Sequence, residues 1–231
     1  MTNTKILIVG NGITGLNAAK ALDDKKIQYD IINHHTIPHD LINITHILLS
    51  PGIPMNCELV HKANQQLIPI ISDLDLLYLI YPNKIYIGIT GSVGKTTTTY
   101  LLHHILSTNL VDKNIHIGGN MSENLFKEAD IYVTEVSSFQ LERTNFMLFT
   151  DFAILNICDT HKERYTDYNL YYISKIWLIL KLMLYHNNST VFLHKDILSF
   201  TTEHRVHYFE DNMDFIYQIT NKYGINKDSV N

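Results

Sequence analysis

Gly94-Lys95-Thr96-Thr97 brings together the residue types that phosphate chemistry needs. Glycine lets backbone N–H groups turn toward an anion, lysine supplies a compact positive charge, and a threonine hydroxyl can reach a bound Mg²⁺. The tetrad lies in Tyr86-Ile-Gly-Ile-Thr-Gly-Ser-Val-Gly-Lys-Thr-Thr-Thr-Thr99. There an apolar stretch from Ile85 to Ile89 runs through a glycine turn into a helix-like segment, Thr97 to Leu106. The common pattern G-x-x-x-x-G-K-[ST] is not met, because its first position falls on Ile89. The glycine is displaced inward to Gly91, giving T-G-x-x-G-K-T with Gly91, Ser92, Gly94, Lys95, Thr96 and Thr97 as the phosphate-facing candidates.

Four further places are candidates for binding or chemistry. Gly10-Asn-Gly-Ile-Thr-Gly15 fits the dinucleotide fingerprint G-x-G-x-x-G between a strand and a helix. A nicotinamide site would need an acid at the end of the next strand, and that place is held by Asn33, His34 and His35, with Asp30 too early. The pyrophosphate of another nucleotide fits better, and a tight turn with no ligand is the bland alternative. Glu135 ends an apolar strand and opens Glu-Val-Ser-Ser-Phe-Gln-Leu-Glu142. A carboxylate there is either a Mg²⁺ ligand or a solvated loop acid. His161, after the strand Phe152 to Asn156, reads as structural by default, and Lys175, on a long helix, as a surface or snorkelling lysine.

The elements that must position these residues repeat as β-α-β. Lys5 to Val9, Tyr29 to Ile32, His46 to Leu49 and Ile68 to Ile71 read as strands, with helices through Leu22 and from Cys57 to Gln65. The pattern restarts after Tyr81-Pro-Asn-Lys84, which divides the chain into residues 1–83 and 84–231. The second part continues with strands at 115–120, 131–134, 152–156, 190–193 and 207–209 and a helix from Tyr168 to Leu184. The fold class is α/β: a Rossmann-like N-terminal domain followed by a P-loop parallel-sheet domain.

Composition excludes several classes. A net charge of −5 over 231 residues lacks the basic face that nucleic acid demands, so no nucleic-acid partner is expected. Cys57 and Cys158 are far apart, without metal spacing, and read as free thiols in a reducing compartment. The chain enters a strand almost at once, leaving no room for a signal peptide. The most apolar stretch, Ile176 to Tyr185, is too short to span a bilayer, carries Lys181, and is expected as a buried helix. The expectation is a cytoplasmic protein with no membrane partner.

Taken together, these motifs resemble the Mur ligase family, in particular its D-glutamate-adding branch. Thr90-Gly-Ser-Val-Gly-Lys-Thr96 is similar to the family's T-G-[ST]-N-G-K-[ST], which accounts for the displaced glycine. Glu135 to Glu142 resembles E-[LV]-S-S-F-Q-L-E, Gly118-Gly-Asn120 the family's G-G-N, and Ser50-Pro-Gly52 the S-P-G of its uridine-binding domain. Ile154-Leu-Asn156 with His161 and Arg164 resembles I-L-N-x-x-x-D-H-x-D-R.

The resemblance implies an ATP- and Mg²⁺-dependent ligase acting on UDP-N-acetylmuramoyl-L-alanine and D-glutamate through an acyl phosphate. It implies phosphate binding by Lys95 and Thr96, Mg²⁺ binding by Thr96, Glu135 and His161, and a carbamylated Lys175 beside the metals. Lys95, His161 and Lys175 would be the catalytic set. Asn120, Ser137 and Gln140 would face the sugar nucleotide, with Ile13, Thr14 and Gly52 toward its uridine-diphosphate end.

The pattern is departed from at Val93 (family Asn), at Thr160 (family Asp) and at Asn33-His34-His35 (family acid). The sequence ends at Asn231, where family members continue into the D-glutamate domain. The expectation is therefore a chain that binds sugar nucleotide and ATP·Mg²⁺ but ligates poorly alone. A non-catalytic remnant or one half of a split enzyme is the alternative. The related folylpolyglutamate-type ligases share the phosphate loop but not the Ser-Ser-Phe-Gln segment or the amino-terminal glycine motif.

Overall fold

The computed structural model describes residues 4–33, 36, 38–121, 123–158, 172–173, 175–177, 179–181, 188–197 and 205–230. The chain divides into two compact units, and the division is not contiguous. Met1–Pro82, Asn124–Lys127 and Glu142–Met147 form the first; Asn83–Glu123, Glu128–Leu141 and Leu148–Asn231 form the second.

In the first unit β1 (Lys5–Val9), α1 (Ile13–Asp24), β2 (Gln28–Ile32), β3 (His46–Leu49), α2 (Glu58–Gln65), β4 (Ile70–Ile71) and α3 (Asp73–Ile80) follow in order. The sheet is parallel throughout, in the order β2-β1-β3-β4. Ile6, Leu7, Ile8 and Val9 are all buried, as a central parallel strand covered on both faces requires. Leu7, Val9, Ile47 and Leu49 pack with Leu59, Val60 and Ala63 of α2.

The fourth strand is shorter than the apolar run suggests, and α3 follows it directly. Ser72 starts α3 with a reciprocal cap: its hydroxyl accepts from the Asp75 N–H at 3.0 Å, and the Asp75 carboxylate accepts from the Ser72 N–H at 3.1 Å. The Ser-x-x-Asp spacing carries this signal locally.

The second unit holds β5 (Ile85–Thr90), α4 (Lys95–Asn109), β6 (Ile115–Gly119), β7 (Ile131–Glu135), α5 (Ser138–Leu141), β8 (Asp151–Ile154), β9 (Thr190–His194), β10 (Val206–Phe209) and α6 (Asn212–Lys222). Six parallel strands run β10-β9-β8-β5-β7-β6, placing β5 between β8 and β7. Ile87, Ile89, Val133, Leu102 and Leu106 form its core together with Phe209 and Phe215. Helix α6 lies beyond the last expected strand; Asp211 caps it, accepting from the N–H groups of Met213 and Asp214, both at 2.9 Å.

Residues 172–173, 175–177 and 179–181 are helical, inside the expected 168–184 helix. Burial there differs from expectation. Lys175 and Ile179 are buried, whereas Ile173, Trp177 and Leu180 are exposed, so the described part buries one stripe rather than its whole circumference.

Candidate functional site

In the second unit the site grows from the carboxyl end of β5. The strand delivers Thr90 and Gly91 to the carboxyl-terminal rim of the sheet, the chain turns through Ser92 to Gly94, and α4 starts at Lys95. Gly94 sits at φ +81°, a left-handed conformation that an L-residue adopts at a cost, and it caps the start of α4.

The turn is seated from a distance. Asn156, just beyond β8, accepts through Oδ1 from the N–H groups of Ser92 and Val93, each at 2.9 Å, and donates through Nδ2 to the Val93 carbonyl at 2.9 Å. All three bonds use the loop backbone. The Val93 side chain is 57% exposed, so replacing an asparagine there leaves the seating intact. The Ser92 hydroxyl accepts from the Cys158 N–H at 2.8 Å and donates to the Cys158 carbonyl at 3.2 Å.

Charges converge on this turn. Lys95 Nζ donates to the carbonyls of Gly91 and Ser92, at 2.9 and 3.2 Å. Burial lowers the pKa of its ammonium, with the Glu135 carboxylate opposing. At the end of β7, beside β5, Glu135 Oε2 accepts the Thr96 hydroxyl at 2.6 Å, and Oε1 accepts from Asn120 Nδ2 at 3.1 Å.

Lys175 is the clearest departure from its residue type. It is 1% exposed, donating to the Thr90 hydroxyl at 3.2 Å and reaching toward the Gly91 carbonyl at 3.5 Å. Burial first, and the Lys95 cation second, bring its ammonium down to about 7. An amine half neutral near pH 7 is a nucleophile, which a surface lysine is not.

These residues line a cleft of about 400 Å³ that also takes in Ser137, Ser138 and Phe139. Of the expected set, Gly91, Ser92, Gly94, Lys95, Thr96, Thr97, Asn120, Glu135, Ser137 and Lys175 meet there. Gln140 is placed differently: it is buried, and its Oε1 accepts from the N–H and hydroxyl of Ser137 at 3.0 and 3.1 Å, so it orients a cleft residue. His161, with Thr160 and Arg164, lies outside the described residues.

Two residues enter that the sequence reading did not assign. Asn156 seats the loop, and Asn212, the first residue of α6, brings its amide against Gly94. Both act across long stretches of chain, where spacing carries no signal.

The expected residues of the first unit gather elsewhere. Val9 and Leu49 pair in register, so the Gly10–Gly15 and Ser50–Ile53 loops leave neighbouring strands side by side. The chain steps from β1 to β2 on one side and later to β3 on the other, and parallel sheets bind ligands at such switch points. A Cβ on Gly10, at φ +108°, would fall 2.4 Å from the Ser50 hydroxyl oxygen. Ile13 is 78% exposed, Thr14 is half-buried, and Gly52 is exposed. Asp30 pairs with Lys5 at 2.6 Å, leaving the strand's end to Asn33.

Two parallel sheets, one carrying a glycine-lysine-threonine loop that faces a carboxylate and a buried lysine, define an α/β protein with a P-loop-type cleft. Residues 89–208 match the family model described as the Mur ligase middle domain. The chain belongs to the Mur ligase family. It is 34% identical over 197 residues to the UDP-N-acetylmuramoylalanine–D-glutamate ligase of Rickettsia conorii, covering 75% of this chain and 38% of that one. With the ligase of the same name from Pasteurella multocida it shares 30% over 239 residues, covering 92% of this chain and 53% of that one. The chain thus spans about two fifths to one half of the length of these relatives. The fold is also that of the UDP-N-acetylmuramate:L-alanyl-gamma-D-glutamyl-meso-diaminopimelate ligase from Neisseria meningitides, with a TM-score of 0.53 at 11% identity over 84% of this chain and 72% of that one. Among the described residues no helix is long and apolar enough to cross a membrane.

Proposed function

We propose that this chain supplies the nucleotide-handling units of a ligase that adds D-glutamate to UDP-N-acetylmuramoyl-L-alanine at the expense of ATP. The observation that carries the reading is the cleft in which Lys95, Thr96, Glu135, Asn120 and Lys175 meet. The names of the relatives support the substrates, and the exposed loops at the switch point of the first unit support a site for the uridine diphosphate.

In this reading Lys95 leaves the Gly91 and Ser92 carbonyls for the β- and γ-phosphates of ATP, joining the amino end of α4. The Thr96 hydroxyl and the Glu135 carboxylate, 2.6 Å apart, are the hard oxygen donors that Mg²⁺ favours alongside phosphate and water. Mg²⁺ held there would offset the charge on the transferring phosphoryl group. The γ-phosphoryl group passes to the alanine carboxylate, and the D-glutamate amine then displaces phosphate from the acyl phosphate to form the amide. Asn120 and Ser137 face the sugar nucleotide, with Gln140 acting through Ser137, while Ile13, Thr14 and Gly52 take its uridine-diphosphate end. His161 is assigned to the metal on the resemblance alone. Lys175, largely neutral just above pH 7, is suited to add CO₂ and become an anionic carbamate. Such chemistry on a sugar nucleotide belongs in the cytoplasm.

Calorimetric titration of the 231-residue chain with ATP·Mg²⁺ and, separately, with UDP-N-acetylmuramoyl-L-alanine tests this. Both are expected to bind, and Glu135→Gln to weaken ATP·Mg²⁺ about tenfold by removing a metal-facing charge. Failure of both ligands to bind the parent chain would overturn the reading.

A further inference from the structure

The segment Glu142–Met147 follows directly on Ser137–Leu141, yet it packs within the first unit. Its backbone is anchored by one buried carboxylate. Asp75 Oδ1 accepts from the N–H groups of Asn145, Phe146 and Met147, at 3.0, 2.6 and 2.8 Å. The Ser72 and Thr144 hydroxyls meet at 3.1 Å, and Asn145 Nδ2 donates to the Ile70 carbonyl at 2.9 Å.

From this anchored segment Arg143, 3% exposed, extends to the turn that follows β3. Its Nη1 donates to the Ser50 carbonyl at 2.8 Å and its Nη2 to the Ile53 carbonyl at 2.5 Å. These carbonyls bracket Pro51 and Gly52. The same Ser50 carbonyl accepts the Ile53 N–H at 3.0 Å, so the guanidinium grips a tight turn at both its ends. Ser50 in turn packs its hydroxyl against Gly10, the first glycine of the facing loop. A planar fork with fixed donor spacing can hold two carbonyls at once; a lysine ammonium on a flexible stem cannot reproduce that grip.

We infer that Arg143 is a positioning residue for a nucleoside-diphosphate site in the first unit, setting the Ser50–Ile53 turn against the Gly10–Gly15 loop. The inference rests on the proposal that this unit takes the uridine-diphosphate end of the substrate. Arg143 itself is buried behind the turn. It acts by fixing which way the Gly52 backbone faces, and a ligand gains affinity because that backbone need not be ordered on binding.

UDP alone serves as the probe, titrated calorimetrically into the full chain, with ATP·Mg²⁺ titrated in parallel. Arg143→Lys is expected to weaken UDP about tenfold while leaving ATP·Mg²⁺ affinity unchanged. Hydrogen exchange at the Ile53 amide should quicken in the same variant, because the turn loses its outer clamp. Thr144→Val, which loosens the same segment without touching the turn, should lower thermal stability but leave UDP affinity and Ile53 exchange as in the parent. That contrast separates positioning from general support. If the parent binds UDP and Arg143→Lys binds it equally well, the positioning role is overturned and the site stands. If the parent itself does not bind UDP, the assignment of the first unit falls and takes this inference with it.

Discussion

The loops after β1 and β5 both turn from a parallel strand into a helix through glycine, yet they are built in different ways. The loop after β5 is surrounded by charge: Lys95, Lys175 and Glu135 all face it, and burial lowers the pKa of both lysines. The loop after β1 offers backbone and shape. Ser50 packs against its Gly10, Ile13 and Gly52 are exposed, and the buried Arg143 holds two carbonyls of the partner turn. The difference suits the two tasks proposed. Transferring a phosphoryl group demands fields that act on developing charge, whereas holding a diphosphate that does not react demands a well-fitted backbone.

Lys175 offers the largest effect with which to break this contrast. In the unfolded chain its amine keeps a proton up to about 10.5, but in the folded chain only up to about 7. The unfolded state therefore binds more protons between these values, and stability should rise with pH across that window, with the full cost present below 7. Lys175→Met should stabilise the chain by roughly 3–4 kcal/mol at pH 6.5, with the gain shrinking toward pH 10, in denaturant titrations run free of bicarbonate. A gain independent of pH would show that the site does not hold a strained charge.

Lys95→Met comes next. It should cost about a hundredfold in ATP·Mg²⁺ affinity, about 2.7 kcal/mol, with UDP binding untouched. Loss of both would mean that the two sites are not separable. Gly10→Ala tests the shape-built site, since its Cβ meets the Ser50 hydroxyl at a φ of +108°. It should destabilise the chain by about 2 kcal/mol and weaken UDP selectively. Ser72→Ala should cost about 1 kcal/mol through its helix cap, seen as a lower Tm, and leave ATP·Mg²⁺ affinity as it was.

Much of this molecule was legible along the chain. The strand–turn–helix units at Gly10 and Gly94 show in local spacing because glycine, lysine and threonine act within a few residues of one another. Helices α3 and α6 are harder to read although Ser72, Asp75 and Asp211 announce their starts; an apolar run such as Leu74 to Ile80 reads equally as strand or helix until the cap is weighed. Lys175 illustrates the opposite limit. A lysine on a helix is a surface residue by type, and only the packing of that helix against the Thr90–Gly91 turn buries it.

The sequence by itself determined that two glycine turns would each join a strand to a helix and that Glu135 would end a strand beside one of them, because those statements depend on local backbone geometry and on β-α-β order. Tertiary structure alone decided that Asn156 seats the phosphate turn, that Lys175 loses its charge near neutrality, and that Arg143 serves the first unit. Each of these joins residues more than sixty positions apart, and burial, which sets both their energies and their pKa values, exists only once the sheets have formed.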